Sequence, residues 1–362
     1  MINSHLLCQL SYWGMAGPRI LRRGARAVNG FTLSPATARD PRTGALSPTV
    51  RPMAGCTTGL RAAFERGQDG GAHPLPALGY TGRVDVGLGE SAARKRFGEI
   101  VEAPNPPLAE AALAIAEEEY PHLVVETYLR RLDEYARAVE ARLPARRDMA
   151  STLRAMRTVL FEEGGLRGNA EAYYDPRNSF LNEVLDRKLG IPITLSVVYM
   201  EVAARVGLPA QGVGLPGHFL VKVAVADREI FVDPFHGGEV LSAADCATRL
   251  RAVAPGRPLE PHHLEGVTHR QILRRMLHNL RKIYVESGDD VRSLWVLDRL
   301  VLLAPGDPLA RRDRGLVEAR LGGTSAALAD LEAYLEALPS DPDASAVRAV
   351  VKQLKSRSDL FN

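Results

Sequence analysis

Apolar residues recur three and four positions apart between residues 108 and 163, which is the spacing of amphipathic helices. The pattern runs through LAEAALAIAEEEY from Leu108, VVETYLRRLDEYARAVEARL to Leu143 and MASTLRAMRTVLFEE to Glu163. Pro121 and Pro144 separate the three segments, as prolines at helix starts do. We therefore predict three consecutive helices in this part of the chain.

The next segments change from helical to strand-like. FLNEVLDRKL predicts a fourth helix, and ITLSVVYMEVAARV, from Ile193 to Val206, is apolar on most sides and predicts a buried one. Short β-prone pieces follow in QGVGLP, HFLVKVAV and EIFVDPF, and Ala226-Asp227-Arg228 joins the last two as in a tight hairpin. Helices first and strands second predict an α+β domain with a small antiparallel sheet.

The C-terminal tail repeats itself every 34 residues. PGDP at 305–308 recurs as PSDP at 339–342, and Gly288 and Gly322 are separated by the same distance. This is the period of a tetratricopeptide repeat, in which two antiparallel helices stack on the next pair. The predicted elements are two helix pairs and a capping helix, at 271–286 with 290–304, 308–321 with 325–338, and 343–356. Because two units fall short of the three or so that stand alone, we expect the tail to pack on the α+β domain.

Residues 1–93 show neither pattern. They contain 14 Gly and 7 Pro, and ten Arg without a Lys against five acidic residues. Such a segment buries too little surface to offset its chain entropy, so we predict a disordered extension or a mis-assigned start codon. A targeting segment is the alternative, because several arginines precede the first acidic residue, although there is no apolar core of about 7 to 15 residues as in a signal peptide.

Composition and charge exclude several classes of protein. The chain is 46% hydrophobic and 25% charged, which is ordinary for a globular protein. Residues 94–362 hold 36 basic and 38 acidic residues, so no bulk charge draws them to nucleic acid or to an anionic membrane. No stretch approaches the roughly 18 to 20 apolar residues of a membrane-spanning helix. Cys246 is the one cysteine beyond the N-terminal segment, so we expect no disulfide framework and a cytoplasmic location.

The best candidates for chemistry are a histidine and an aspartate in the predicted hairpin. His218 opens one predicted strand and Asp233 closes the next, so the hairpin brings them nearly opposite each other. A carboxylate in that position holds an imidazole in one tautomer and raises its basicity, as in the base and orienter of a catalytic triad. The alternative is a hydrogen-bonded pair that supports only the fold or a binding cleft.

The matching nucleophile would be expected at the N-terminus of a helix, where the helix dipole stabilises negative charge. The helix after Pro192 has the right place in chain order, but it offers only the hydroxyls of Thr194 and Ser196. Ser196 is therefore the candidate nucleophile, and the alternative is a buried hydroxyl bonded one turn back along the helix. Cys246 follows Asp233, outside the triad order, and we expect it to be inert.

The run NSFLNEVLDRKLGIPITLSVVYMEVAARVGLPAQGVGLPGHFLVKV, with VDPFHGG and the tandem helices after it, resembles the bacterial SirB-type transglutaminase-like proteins with C-terminal tetratricopeptide repeats. The resemblance covers about residues 94–356. It implies a papain-like core in which a helix cysteine, a strand histidine and a strand aspartate form the triad. His218 in GHFLV and Asp233 in VDP match the family histidine and aspartate, whereas Pro192 to Ser196 lacks the family cysteine.

Other polar residues are weaker candidates. Asn178 and Asn182 are four residues apart and share a face if both are helical; capping or bonding between elements is the favoured interpretation, and lining a cleft is the alternative. Four further histidines are candidate metal ligands: His236, His262, His263 and His269. No carboxylate or thiol spacing accompanies them, so we expect no metal site. We also expect no cofactor.

These observations predict a leader at 1–93, a transglutaminase-like domain at 94–265 and tetratricopeptide-like repeats at 266–362. The favoured function is a non-catalytic interaction or regulatory module that binds a protein or peptide through its cleft and repeats, without nucleic acid or membrane. The alternative is a hydrolase or acyltransferase acting on an amide bond, with His218 as base, Asp233 as orienter, and Ser196 or water as nucleophile. The missing cysteine favours the first, and the sequence leaves the oligomeric state open.

Overall fold

The computed structural model describes residues 91–225 and 228–359. The prediction for residues 1–93 therefore falls almost wholly outside the described residues, as does the tip of the predicted hairpin. Ser91 caps the first described helix, because its hydroxyl accepts a hydrogen bond of 3.1 Å from the backbone N–H of Arg94. Within the described ranges, no helix combines the length and the apolar character that crossing a membrane requires.

Helices build the first part of the fold, close to the predicted positions. They are α1 Ala92–Val101, α2 Leu108–Ala116, α3 Val125–Glu140, α4 Met149–Arg157, α5 Leu181–Arg187 and α6 Pro192–Arg205. A π-helical turn at Thr158–Glu163 extends α4, and a 3-10 turn at Pro176–Ser179 precedes α5. Helix α2 ends at Ala116, and the three glutamates that follow it pair with arginines: Glu117 with Arg96, Glu118 with Arg299 and Glu119 with Arg292.

The buried helix α6 lies where its apolar sequence predicts. Pro192 occupies its first turn, where a missing N–H costs nothing, and Val197 and Val202 have no exposed surface. Helix α6 packs against α3 on one side and against the sheet on the other. It therefore forms the centre of the transglutaminase-like part of the chain.

The sheet is antiparallel and has the strand order β6-β5-β4-β3-β7. Its strands are β3 Ala210–Val213, β4 Leu220–Val225, β5 Arg228–Asp233, β6 Glu239–Leu241 and β7 Gly266–Val267, and a separate parallel pair is formed by β1 Arg167–Gly168 and β2 Leu189–Gly190. The sequence predicted β3, β4 and β5. It missed β6, β7 and the parallel pair, because two- or three-residue strands carry too little alternation to be recognised.

Alternation along β4 and β5 puts apolar side chains on both faces of the sheet. Val221 and Val223 pack into the main core with α6, whereas Leu220 and Phe231 pack on the other face with Cys246 of helix α7, Ala243–Val253. Both faces are therefore covered. The position of β4 and β5 is fixed by these two layers, which matters because the ends of these strands carry the candidate site.

The tail forms the helices that its 34-residue period predicts. They are α8 His269–Ser287, α9 Asp290–Leu303, α10 Pro308–Leu321, α11 Thr324–Ala337 and α12 Ala344–Asp359. Gly288 and Gly322 end α8 and α10 with φ of 71° and 87°, a left-handed conformation that favours glycine. Asp307 caps α10 by accepting from the backbone N–H of Leu309 at 3.0 Å. The repeated glycines are thus helix stops and Asp307 is a helix start, whereas its counterpart Asp341 lies three residues before α12 and accepts from the hydroxyl of Tyr334.

The first helix pair of the tail packs on the transglutaminase-like part, as we expected for so few repeats. Apolar residues of α8 and α9 belong to the same core cluster as those of α1, α2 and α6. Ion pairs cross the junction as well. Arg299 of α9 lies 3.0 Å from the Glu118 carboxylate and has 1% of its surface exposed. The last three helices form a smaller core of their own around Leu331 and Tyr334.

Candidate functional site

The structure brings His218 and Asp233 into contact. Asp233 is the last residue of β5, and His218 lies in the loop just before β4 begins at Leu220. Because Val221 pairs with Val232, Asp233 stands at the place opposite the start of β4. Nε2 of His218 lies 2.9 Å from Oδ2 of Asp233. Asp233 is 0% exposed and His218 8%, so the pair is enclosed by protein.

A third side chain, His236, shares the same carboxylate oxygen. The chain turns through a 3-10 helix at Pro234–His236, and Nδ1 of His236 comes within 2.8 Å of Oδ2 of Asp233. The other carboxylate oxygen, Oδ1, caps this turn by accepting from the backbone N–H groups of Phe235 at 3.1 Å and His236 at 3.3 Å. One aspartate therefore closes the turn with Oδ1 and binds two imidazoles with Oδ2.

The charge of Asp233 is stabilised by these neighbours. Burial would raise the pKa of its carboxyl group, but hydrogen bonds from His218 and His236 outweigh burial and hold that pKa well below its usual range. Arg249 of α7 adds a positive charge, since its Nε lies 3.6 Å from Oδ2. Asp233 is therefore ionised at neutral pH and is surrounded by cationic or donor groups.

Backbone and aromatic contacts fix the orientation of the His218 ring. Arg275 of α8 donates to the carbonyl oxygens of Leu215 at 2.9 Å and His218 at 2.8 Å, which ties the loop to the first repeat helix. Phe235 meets the His218 ring edge to face, with centroids 6.1 Å apart. Phe235 is in turn held against Gly168, where an added Cβ would lie 2.6 Å from the phenyl ring.

The predicted nucleophile Ser196 is engaged inside its own helix. Its hydroxyl donates to the carbonyl oxygen of Pro192 at 2.8 Å, and the residue has no exposed surface. This is the buried hydroxyl bond that the sequence analysis gave as the alternative. Thr194 is equally buried and donates to the carbonyl oxygen of Asn178 at 2.7 Å. These contacts give no support to a catalytic role for Ser196, which stays a prediction.

Cys246 lies in α7, buried in the apolar cluster beneath the sheet. Burial, with the nearby charges of Asp245 and Asp233, raises the pKa of its thiol to about 11. A thiol in this state is protonated at neutral pH and is a poor nucleophile. The location agrees with the expectation that Cys246 is inert.

The asparagines lie inside the fold. Asn178 has no exposed surface, and its amide donates to the carbonyl oxygen of Ala172 at 2.7 Å and accepts from Asn169 at 3.1 Å. Asn182 is 3% exposed. The contacts of Asn178 are those of a residue that joins structural elements. The cleft-lining role predicted for both asparagines therefore stays a prediction that their burial does not support.

A small recess with room for about one water molecule lies between α2, α8 and α9, and none of its lining residues belongs to the group around Asp233. Its walls are mainly apolar and include the buried pair Glu118 and Arg299. This recess lies at the junction of the repeats with the transglutaminase-like part. It is therefore separate from the cleft that the sequence analysis placed beside His218.

Sequence reasoning missed the contact between Asp233 and His236. The sequence analysis treats Asp233 only as the partner of His218, whereas the structure shows that it also contacts His236. The signal was present in DPFH, since an aspartate before a proline caps a tight turn and brings the residue three places later back to it. The other three histidines lie elsewhere: the rings of His262 and His263 lie side by side near Glu260, tilted by 55°, and His269 bonds the carbonyl oxygen of Pro106.

Comparison with protein families agrees with the fold in two parts. A model described as the transglutaminase-like superfamily matches residues 126–278, and one described as tetratricopeptide repeat matches residues 280–352. With the α+β core and the helix pairs, these matches define a transglutaminase-like domain followed by a tetratricopeptide repeat region. They confirm both parts of the resemblance, while its SirB-type designation stays an expectation.

Relatives show the family directly. A UPF0162 protein of Xylella fastidiosa (strain Temecula1) is 38% identical over 254 residues, which is 69% of this chain and 90% of the relative. UPF0162 proteins of Vibrio cholerae and Pseudomonas aeruginosa are 29% and 32% identical, over 70% and 66% of this chain and 94% and 86% of theirs. The chain belongs to the UPF0162 family. Among solved structures, menin matches 72% of this chain and 69% of its own at 11% identity, but its TM-score of 0.34 is too low to inform the fold.

Proposed function

We propose that this protein is a non-catalytic transglutaminase-like module that binds a protein or peptide partner in the cytoplasm. The proposal rests on the N-terminus of α6, where a transglutaminase nucleophile is expected and where both hydroxyl groups are buried. Ser196 and Thr194 both donate to backbone carbonyl oxygens inside the fold and are not exposed. An alcohol needs strong activation to attack an amide, and these two hydroxyls are buried in structural bonds.

The surface where the two parts of the chain meet suits a partner. Tyr174 is 42% exposed and stands edge to face against Tyr173, whose ring approaches Phe235 beside the His218 pair. Lys282, on the first repeat helix, lies 4.8 Å from the centre of the Tyr174 ring. Exposed tyrosines beside a cationic side chain are frequent anchors of protein interfaces. Tyr174 therefore marks the rim at which the proposed partner contacts both the repeats and the transglutaminase-like part.

Quantitative affinity capture with the full chain tests the proposal. Wild-type protein and Tyr174→Ala are used as bait in a lysate of the source bacterium, with Val124→Ala as matched control. Val124 is 56% exposed but precedes α3, outside this rim. We expect a specific partner whose recovery falls about ten-fold or more with Tyr174→Ala, the effect of an interface hot spot, and does not change with Val124→Ala. Equal recovery with all three baits would refute this binding surface.

One observation favours the alternative enzyme. Nε2 of His218 is held by Asp233, whereas its Nδ1 makes no hydrogen bond to any described residue. That is the arrangement of a base whose free nitrogen faces a substrate or a water molecule. Release of ammonia from peptide amides, abolished by His218→Ala in a variant that remains folded, would support a hydrolase and contradict the non-catalytic proposal.

A further inference from the structure

We infer that His218, Asp233 and His236 bind a divalent transition metal ion, such as Zn²⁺, through Nε2, Oδ2 and Nδ1 respectively. The three ligand atoms all lie within 4.8 Å of one another. This inference is independent of the proposed partner binding, since it concerns only the group around Asp233. Two imidazoles with one carboxylate are a donor set that Zn²⁺, Fe²⁺ and Co²⁺ accept readily.

The spacing of the donors fits such an ion. Zinc binds imidazole nitrogen and carboxylate oxygen at about 2.0 to 2.2 Å, so neighbouring ligand atoms stand about 2.9 to 3.4 Å apart. The two nitrogens lie 2.9 Å and 2.8 Å from Oδ2 of Asp233. A small rotation of the two imidazole rings away from Oδ2 would leave room for one ion between the two nitrogens and the oxygen. A four-coordinate ion then keeps one position for water or another ligand, and a six-coordinate ion keeps three.

Neighbouring groups fix the orientation of the proposed ligands through hydrogen bonds, as is usual around metal sites. Oδ1 of Asp233 is fixed by the backbone N–H groups of Phe235 and His236, which aims Oδ2 at the two rings. The loop that carries His218 is fixed by Arg275 through two carbonyl oxygens. Asp233 is fully buried, while the side chain of His236 is 23% exposed. An ion would therefore enter from the side of His236.

To bind the ion, each imidazole must present a lone pair on the nitrogen that now faces Asp233. In the metal-free arrangement, Nε2 of His218 and Nδ1 of His236 donate their hydrogens to Oδ2. To coordinate, each neutral ring carries its proton on the other nitrogen, Nδ1 of His218 and Nε2 of His236. Neither of these nitrogens makes a hydrogen bond to a described residue. The two lone pairs and the carboxylate then face the ion.

Arg249 is the group that opposes the ion. Its Nε lies 3.6 Å from Oδ2 of Asp233, and its other end contacts the carboxylate of Glu239. A positive charge at this distance repels a divalent cation. Removing the charge of Arg249 should therefore strengthen metal binding. If the cluster serves only to stabilise the buried Asp233 carboxylate, removing that charge would instead weaken the cluster.

Cobalt titration of the full chain, without a polyhistidine tag and after treatment with a chelator, tests the inference. We expect about one equivalent of Co²⁺ to bind with visible d–d absorption bands that Zn²⁺ removes. His236→Ala should weaken binding by more than the roughly 10- to 100-fold typical of outer contacts. Arg249→Gln, which removes no ligand, should tighten binding by about three-fold or more, because the repulsion is screened at a partly exposed site. Circular dichroism of each variant establishes that it is folded.

His262→Ala is the matched control. His262 is 60% exposed and its ring lies beside that of His263, so this pair is where a metal ion would bind adventitiously. It should leave Co²⁺ binding unchanged. The inference is overturned if Co²⁺ binds equally well to wild type and His236→Ala, if His262→Ala removes the bands, or if Arg249→Gln weakens binding. It is also overturned if wild-type protein shows no bands at a millimolar concentration of Co²⁺.

Discussion

Removal of His218 and His236, singly and together, measures how strongly the two rings depend on the shared oxygen of Asp233. Loss of one partner of a buried charged group costs about 1 to 3 kcal/mol. His218→Ala leaves Oδ2 in contact with Nδ1 of His236 at 2.8 Å, so we expect the lower end, about 1 kcal/mol. The double variant leaves a carboxylate with 0% exposure and no imidazole partner. Its cost should therefore exceed the sum of the single costs by about 0.5 to 2 kcal/mol.

Urea unfolding followed by circular dichroism gives the three free energies, and equal urea dependence of the variants shows that the unfolded states are comparable. A chelator is present throughout, so that no metal contributes. His262→Ala serves as the control and should change the free energy of unfolding by less than about 0.5 kcal/mol, as usual for surface positions. Strictly additive single and double costs would refute the argument, because they would mean that the rings do not share one carboxylate oxygen.

Three further predictions concern other parts of the molecule. Gly168→Ala should lower the free energy of unfolding in urea by about 1 to 3 kcal/mol, because the new Cβ would lie 2.6 Å from the Phe235 ring. Gly306→Ala is the control and should cause no similar loss, because nothing lies within 4 Å of its new Cβ. Equal losses in the two variants would contradict this packing. Burial raises the pKa of Glu318 in α10 to about 7, so the folded protein holds a proton that the unfolded chain releases, and stability should fall as pH rises from about 4.5 to 7. Glu318→Gln should therefore stabilise the protein more at pH 8 than at pH 5, and the same gain at both values would show that Glu318 is ionised throughout. Iodoacetamide should modify Cys246 only after unfolding, as read by peptide mass spectrometry; rapid labelling of the folded protein would show that its thiol is neither buried nor of raised pKa.

The helices and their ends could be predicted from local patterns. The three- and four-residue spacing of apolar side chains placed α3, the continuous apolar segment after Pro192 placed α6, and the 34-residue repeat placed the five tail helices, all within a few residues of their observed bounds. The 34-residue period is explained by single residues, since Gly288 and Gly322 occupy left-handed positions at successive helix ends. Helix periodicity and helix caps depend on residues within one or two helical turns of each other, so they can be read directly from the sequence.

The proximity of His218 and Asp233 was also predictable, because a hairpin converts sequence separation into distance. Their partner His236 was not recognised, although it is only three residues from Asp233, because its role depends on the turn that Oδ1 of Asp233 caps. The alternatives for Ser196 and Asn178 were likewise open in the sequence, and the hydrogen bonds of both residues lie inside the fold.

Long-range pairing is the part that only the folded chain reveals. Strand β7 pairs with β3 across more than fifty residues, and Arg299 meets Glu118 from a helix in the other part of the protein. Nothing in the local pattern marks these contacts, because two-residue strands and single charges carry no period. Periodicity records which face of an element is buried, and therefore predicts the elements; which partner covers that face is decided by packing between segments that are distant in sequence.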